Sequence, residues 1–318
     1  MSIVVLIINW PYLHYTFVPV HDTIAEFQFF HYFYSEWFFH KEVAQWLPYN
    51  TYGLPSQMYQ LMALTPVDYL GMLLGGFFGI KNALWLFKIC VVASQLVFLL
   101  GMYLLSRLIF ERKTTVLFVC LGAVASTVWH CSINTNFRFY YMFPLIAYFI
   151  VLFFLRRKAE FLWLAGMTTL TWIIGAGTPY YIGFWIFLLF VFTLFLSVRN
   201  WEAWKDIYAM RFSNIFLFLV FILFAFSLFL YFKQSVNSVL VNSVFGRTAG
   251  SGIAIMENFM THGGKANLLM IIRSLLFSSP LFLPVGSQVD VTVYVGILPV
   301  LFFVISFAKI KNKIFLLF

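Results

Sequence analysis

The sequence predicts an all-α protein built as a polytopic bundle of transmembrane helices, with amphipathic helices lying along one membrane face. Three observations carry that expectation. The 318 residues are 63% hydrophobic and only 10% charged, whereas a soluble domain runs near a quarter charged. Apolar stretches approaching the roughly 20 residues that a spanning helix needs recur along the chain. Lys and Arg gather at alternate ends of those stretches.

Eight spans are read at 2–19, 84–106, 114–130, 139–155, 160–177, 180–198, 213–232 and 294–308, and Ile314–Phe318 opens a ninth. Residues 1–20 lack the basic start and small-residue cleavage site of a signal peptide, so they are read as a retained first span. The whole of 1–318 then forms a single membrane domain, with a first outer loop at 20–83 and a second large one at 233–293.

The first outer loop is organised around His21 to Pro66. It holds His21, Asp22, Glu26, His31, Glu36, His40 and Glu42, with aromatic residues filling most of the gaps. If 23–45 is helical, Phe27, Phe30, Tyr34 and Phe38 fall on one side and Gln28, His31, Ser35 and Glu42 on another. That pattern suits a helix half sunk among lipid headgroups. Pro48, Gly53 and Pro55 then turn the chain, and a short helix at 56–64 carries Gln57 and Gln60.

The glycine-rich run at 67–80 is too short to span. It is either an interfacial or re-entrant piece or an outward extension of the second span. Lys88, early in that span, is expected to snorkel outward. Further outer turns follow at 131–138, CSINTNFR, and 175–180, GAGTPY. The second large outer loop contains Arg247 among glycines, then His262-Gly263-Gly264-Lys265 and Arg273.

Orientation follows from charge. Arg107, Arg112, Lys113, Arg156, Arg157, Lys158, Arg199, Lys205, Arg211, Lys309, Lys311 and Lys313 make 12 of the 20 basic residues and face only four acids in the same loops. The remaining segments hold eight basic and seven acidic residues. The first set is therefore cytoplasmic, and 21–66 faces outward with all six histidines at or near that side. No compact basic cluster reads as a nucleic-acid site. Cys90, Cys120 and Cys131 have no metal-binding or disulfide spacing.

Several of these residues resemble the YfhO-type family of bacterial membrane proteins: Asp22-Thr23 just after the first span, Trp46-Leu47-Pro48-Tyr49, Gly53-Leu54-Pro55, Gln60, Thr65-Pro66-Val67-Asp68-Tyr69-Leu70, and 293–306. Leu47 stands where the family shows Asn. The resemblance implies a GT-C fold and a glycosyltransferase of the bacterial cytoplasmic membrane, its active face extracytoplasmic. Such an enzyme moves a sugar from a polyprenyl-phosphate carrier to an outer glycan, cell-wall polymer or lipid. Members carry further spans and an outer C-terminal domain, so the chain, which stops inside an apolar segment, is expected to be truncated or part of a longer protein.

That chemistry needs a base for the acceptor hydroxyl and positive charge, or a metal, for the departing phosphate. Asp22 matches the family's acidic position in the first outer loop and is the candidate catalytic residue. It can equally cap a helix, and Thr23 with Glu26 fits a capping box. His21, Asp22 and Glu26 are a candidate ligand set for a divalent cation, Mg or Mn. Arg138, Arg247, Lys265 and Arg273 are candidates for the carrier phosphate. Tyr52, Gln57 and Gln60 are candidates for the sugar. The competing expectation is a transporter or flippase of a lipid-linked or small polar substrate. Such proteins place ionisable groups near mid-membrane, where the spans as read hold almost none. An inactive or regulatory relative is the third reading.

Overall fold

A computed structural model describes residues 1–14, 22–44, 46–47, 54–55, 64–125, 141–174, 179–205 and 212–236. Apart from one two-residue antiparallel pair, β1 (Trp46–Leu47) with β2 (Leu54–Pro55), the regular structure among these residues is helical. The chain is all-α. One helix among the described residues, Ala83–Ile109, is long and apolar enough to cross a membrane, by length and composition. The expected spans at 294–308 and 314–318, and the second outer loop, lie outside the described residues.

The first segment departs from the expected continuous span. It forms α1 (Ser2–Ile8), pauses at Asn9 and resumes as α2 (Trp10–Leu13). Pro11 is the reason, since it has no N–H to give and its ring crowds the carbonyl one turn earlier. Next, α3 (Asp22–Ser35) runs into one π-helical turn at Glu36–His40. The expected helix thus ends near residue 40 and not at 45. Lys41 ends it in the left-handed conformation at φ 59°, and the Glu42 N–H reaches back to the Glu36 carbonyl at 3.3 Å. This closure resembles a Schellman cap with lysine where glycine is usual.

The amphipathic reading of α3 agrees with the fold. Phe30 and Tyr34 are buried, Phe27 and Phe38 are half-buried, and Gln28, His31 and Glu42 are exposed. The helix seals on α5 (Ala83–Ile109) through Phe87, whose ring lies 5.4 Å from Phe30 edge-on and 5.6 Å from Phe27. Burying rings of this size contributes about 1.5–3 kcal/mol each.

The glycine-rich run is a separate helix, α4 (Pro66–Phe77), and not an extension of the second span. A turn through Gly79, at φ 67°, divides it from α5. Its start is fixed by a capping box: Thr65 Oγ1 accepts from the Asp68 N–H at 3.2 Å, and Asp68 Oδ2 accepts from the Thr65 N–H at 2.8 Å. Asp68 is fully buried. Replacing Thr65 with alanine is expected to destabilise the fold by about 1 kcal/mol, read as faster amide exchange over the first turn of α4; unchanged exchange would contradict it. The glycines of α4 let neighbours approach. A Cβ at Gly71 would overlap Cys90, one at Gly75 would meet Leu86 and Tyr34, and one at Gly76 would enter the Trp37 ring.

The long helix α5 begins at Asn82, whose side chain accepts from the Trp85 N–H at 3.0 Å. It is the hub of the first half, packing against α1, α2, α3 and α4 and against α6 (Lys113–Val124) and α7 (Phe143–Arg156). Helix α7 continues the bundle through α8 (Ala159–Ile173), and α8 packs on α11 (Phe212–Val236). Trp163 and Gly166 of α8 meet Phe218 and Phe221 of α11 in the same order along both chains. Helix α9 (Pro179–Arg199) is followed by a single turn, α10 (Glu202–Lys205). There Trp204 packs edge-on against Phe153, 5.2 Å away, and Phe154. That contact brings the Arg156–Lys158 turn next to α10. At the surface of this end, Lys205 bonds to Glu202 at 3.1 Å and holds its carboxyl below the ordinary glutamate range.

Candidate functional site

The segment singled out by sequence folds as a layer of α3, the π-turn and α4 against the first half of α5. Asp22 is the first residue of α3, which puts Glu26 one turn further along the same helix. The Glu26 side chain is buried, while Glu36 is half-buried and His31 and His40 are exposed. The layer is pinned by Tyr34, whose hydroxyl donates to the Ile80 carbonyl in the turn between α4 and α5. Burial pushes the Tyr34 phenol above the ordinary tyrosine range, so it stays a donor.

An apolar cleft of about 220 Å³ opens between the π-turn and α4. Phe33, Trp37, Tyr69 and Met72 form its walls, and Val43 and Leu73, both exposed, stand at its mouth with Glu42. Its existence depends on the π-turn, which carries Trp37 onto Gly76 where any side chain would collide with the ring.

A second set of polar groups lies beneath this layer, inside the helices. Lys88, Ser94 and Gln95 of α5 are fully buried and Asn9 nearly so. The amide of Asn9 donates to Gln95 Oε1 and, at 2.8 Å, to the Val5 carbonyl. Gln95 in turn donates to the Val124 carbonyl at the end of α6, at 3.2 Å. Lys88 does not snorkel. Its ammonium donates to the His14 carbonyl at 2.6 Å and lies 5.9 Å from the centre of the Tyr12 ring. The helix turns too soon for this side chain to reach an outer surface, because α2 and His14 lie over it. The statement that the spans hold almost no ionisable group is corrected accordingly.

Of the predicted site residues, only Asp22, by its backbone, and Glu26 fall among those described. His21, Tyr52, Gln57, Gln60, Arg138, Arg247, Lys265 and Arg273 lie outside the described residues, as do the Thr23 capping partner and Cys131. Cys90 and Cys120 are buried free thiols. Among the described residues no three His, Cys, Asp or Glu side chains come together to hold a metal. Sequence reasoning missed Lys88 and the Asn9–Gln95 pair, although polar residues inside apolar runs were a visible signal. The cleft had no such signal, because its walls come from segments some 30 residues apart.

The chain matches no protein-family model, no curated protein and no solved structure.

Proposed function

We propose that the protein is a polytopic membrane glycosyltransferase of GT-C type in the bacterial cytoplasmic membrane, transferring a sugar from a polyprenyl-phosphate carrier to an acceptor outside the cell. The observation that carries this reading is the acid-bearing aromatic segment, folded as a layer on the one described helix long enough to cross a membrane. Large apolar side chains left exposed along α9 and α11, such as Phe187, Phe190, Phe216, Leu223 and Phe229, suit helices covered by lipid, since soluble monomers rarely expose contiguous patches of that extent. The matching direction of α8 and α11, and the meeting of the Arg156–Lys158 turn with α10, agree with the alternation of basic loops.

In this mechanism the acceptor oxygen attacks the anomeric carbon of the donor sugar. Its proton passes to the Asp22 carboxylate, and the bond from sugar to carrier phosphate breaks, with Arg138, Arg247, Lys265 and Arg273 as candidates to hold the released phosphate. Tyr52, Gln57 and Gln60 are the candidate sugar contacts. A divalent cation would add Lewis-acid stabilisation of that phosphate. Glu26 is buried, which suits a ligand or a cap, and no step here is routed through a metal. The test is sugar transfer from a polyprenyl-phosphate donor in membranes carrying Asp22→Asn, with loss of turnover expected and wild-type turnover removing Asp22 from the mechanism.

A transporter or flippase is the second reading, and one observation favours it. A fully buried lysine beside Gln95 and Asn9 in the long helix is the kind of intramembrane polar group that marks substrate pathways.

A further inference from the structure

We propose that the cleft between the π-turn and α4 binds one acyl chain of a phospholipid whose headgroup carries both a phosphate and an amine, as phosphatidylethanolamine does. The cavity is about 220 Å³, larger than the roughly 150 Å³ apolar cavities that take up benzene. Its wall of Phe33, Trp37, Tyr69 and Met72 offers hydrocarbon contact and almost nothing polar. Its mouth is continuous with an apolar face: Leu73 both lines the cleft and is 56% exposed, and Leu70, Leu74 and Phe77 extend that exposed surface along α4. A chain lying on this face enters the cleft without crossing water.

The charge at the mouth selects the headgroup. Glu42 lines the cleft and Lys41 precedes it, both exposed. The Lys41 ammonium sits 5.2 Å over the Phe38 ring, leaving donors for a phosphate, and Glu42 is placed for an amine. A carrier bearing only anionic charge meets Glu42 as a like charge and is disfavoured. The π-turn and the left-handed Lys41 at φ 59° are local departures from ideal backbone of the kind kept at binding sites. The inference goes beyond the proposed reaction and does not depend on it.

The full chain, purified in detergent and analysed by native mass spectrometry, is expected to retain one phosphatidylethanolamine per polypeptide in preference to phosphatidylglycerol or a polyprenyl phosphate. Leu73→Trp places an indole across the mouth from an exposed position, so the fold survives. It is expected to lower retention about tenfold, the equivalent of two lost methylene contacts. Glu42→Lys is expected to turn the preference toward phosphatidylglycerol. In a second measurement, phosphatidylethanolamine with brominated acyl chains quenches a component of tryptophan emission that is missing in Trp37→Phe. Equal retention by wild type and Leu73→Trp, equal binding of a polyprenyl phosphate, or identical quenching in Trp37→Phe would each overturn the assignment. Asp22→Asn changes none of these readouts, which separates this inference from the transfer reaction.

Discussion

Replacing Gly101 with leucine is expected to lower the thermal midpoint of the purified protein more than any substitution on the outer faces of the same helices. A Cβ at this position would lie 2.7 Å from the Leu145 backbone nitrogen and 3.2 Å from its Cα. The obstacle is main chain of α7, which cannot rotate aside as a side chain can. The two helices must therefore separate, losing the contacts that Ile146, Ile150 and Phe153 make in the core. Overpacking costs about 1–3 kcal/mol when side chains can yield, and a backbone obstacle puts Gly101→Leu at or above the upper figure. Gly122 is the control, because a Cβ there meets nothing within 4 Å. Gly122→Leu, in the interior of α6, is expected to be neutral or to stabilise by about 0.5–1 kcal/mol through its better helix propensity. If both variants melted together, the close crossing of α5 and α7 at Gly101 would be wrong.

The helices were legible because each long apolar run is bounded by a residue with a local reason to be there. Asn82 caps α5 with its side chain, Pro144 sits in the first turn of α7, and Arg157 closes α7 in the left-handed conformation at φ 53°. The buried face of α3 was equally legible from its helical spacing. Hydropathy averaged over a window hides single residues, so Pro11 and Asn9 broke the first segment without warning. Thr65-Pro66-Val67-Asp68 was read only as part of a resemblance, although the capping pattern was present in it. Lys88 was assigned outward because long cationic side chains usually snorkel, and only the tertiary placement of α2 over it shows otherwise. The π-turn rests on a single long-range fit, Trp37 against Gly76, which no local pattern reports. Of the candidate site, the acid-bearing layer was visible in the sequence and the cleft was not.

Asp22→Asn and Lys88→Met are expected to part the two functional readings, with the largest effects in the molecule. Asparagine caps a helix as well as aspartate does, and it matches aspartate in size. If Asp22 serves only the start of α3, the substitution leaves both fold and activity in place. If its carboxylate takes the acceptor proton, turnover falls by about 10²–10⁴ while helix content and melting hold. Lys88→Met keeps the volume of the side chain and removes its charge from a fully buried position. Exchanging a buried charge for a packed apolar group is often neutral or stabilising, and the carbonyl released belongs to His14, an exposed residue. Under the transferase reading, then, Lys88→Met folds and retains turnover within a few-fold, because the chemistry sits in the outer layer above it. Under the transport reading the order reverses: Asp22→Asn is tolerated, and loss of the ammonium between Tyr12 and His14 stops movement of a labelled lipid-linked sugar between leaflets. The deciding measurement pairs both assays on both variants, because a buried ammonium needed for passage leaves no trace in sugar transfer, and a carboxylate needed for proton removal leaves none in passage.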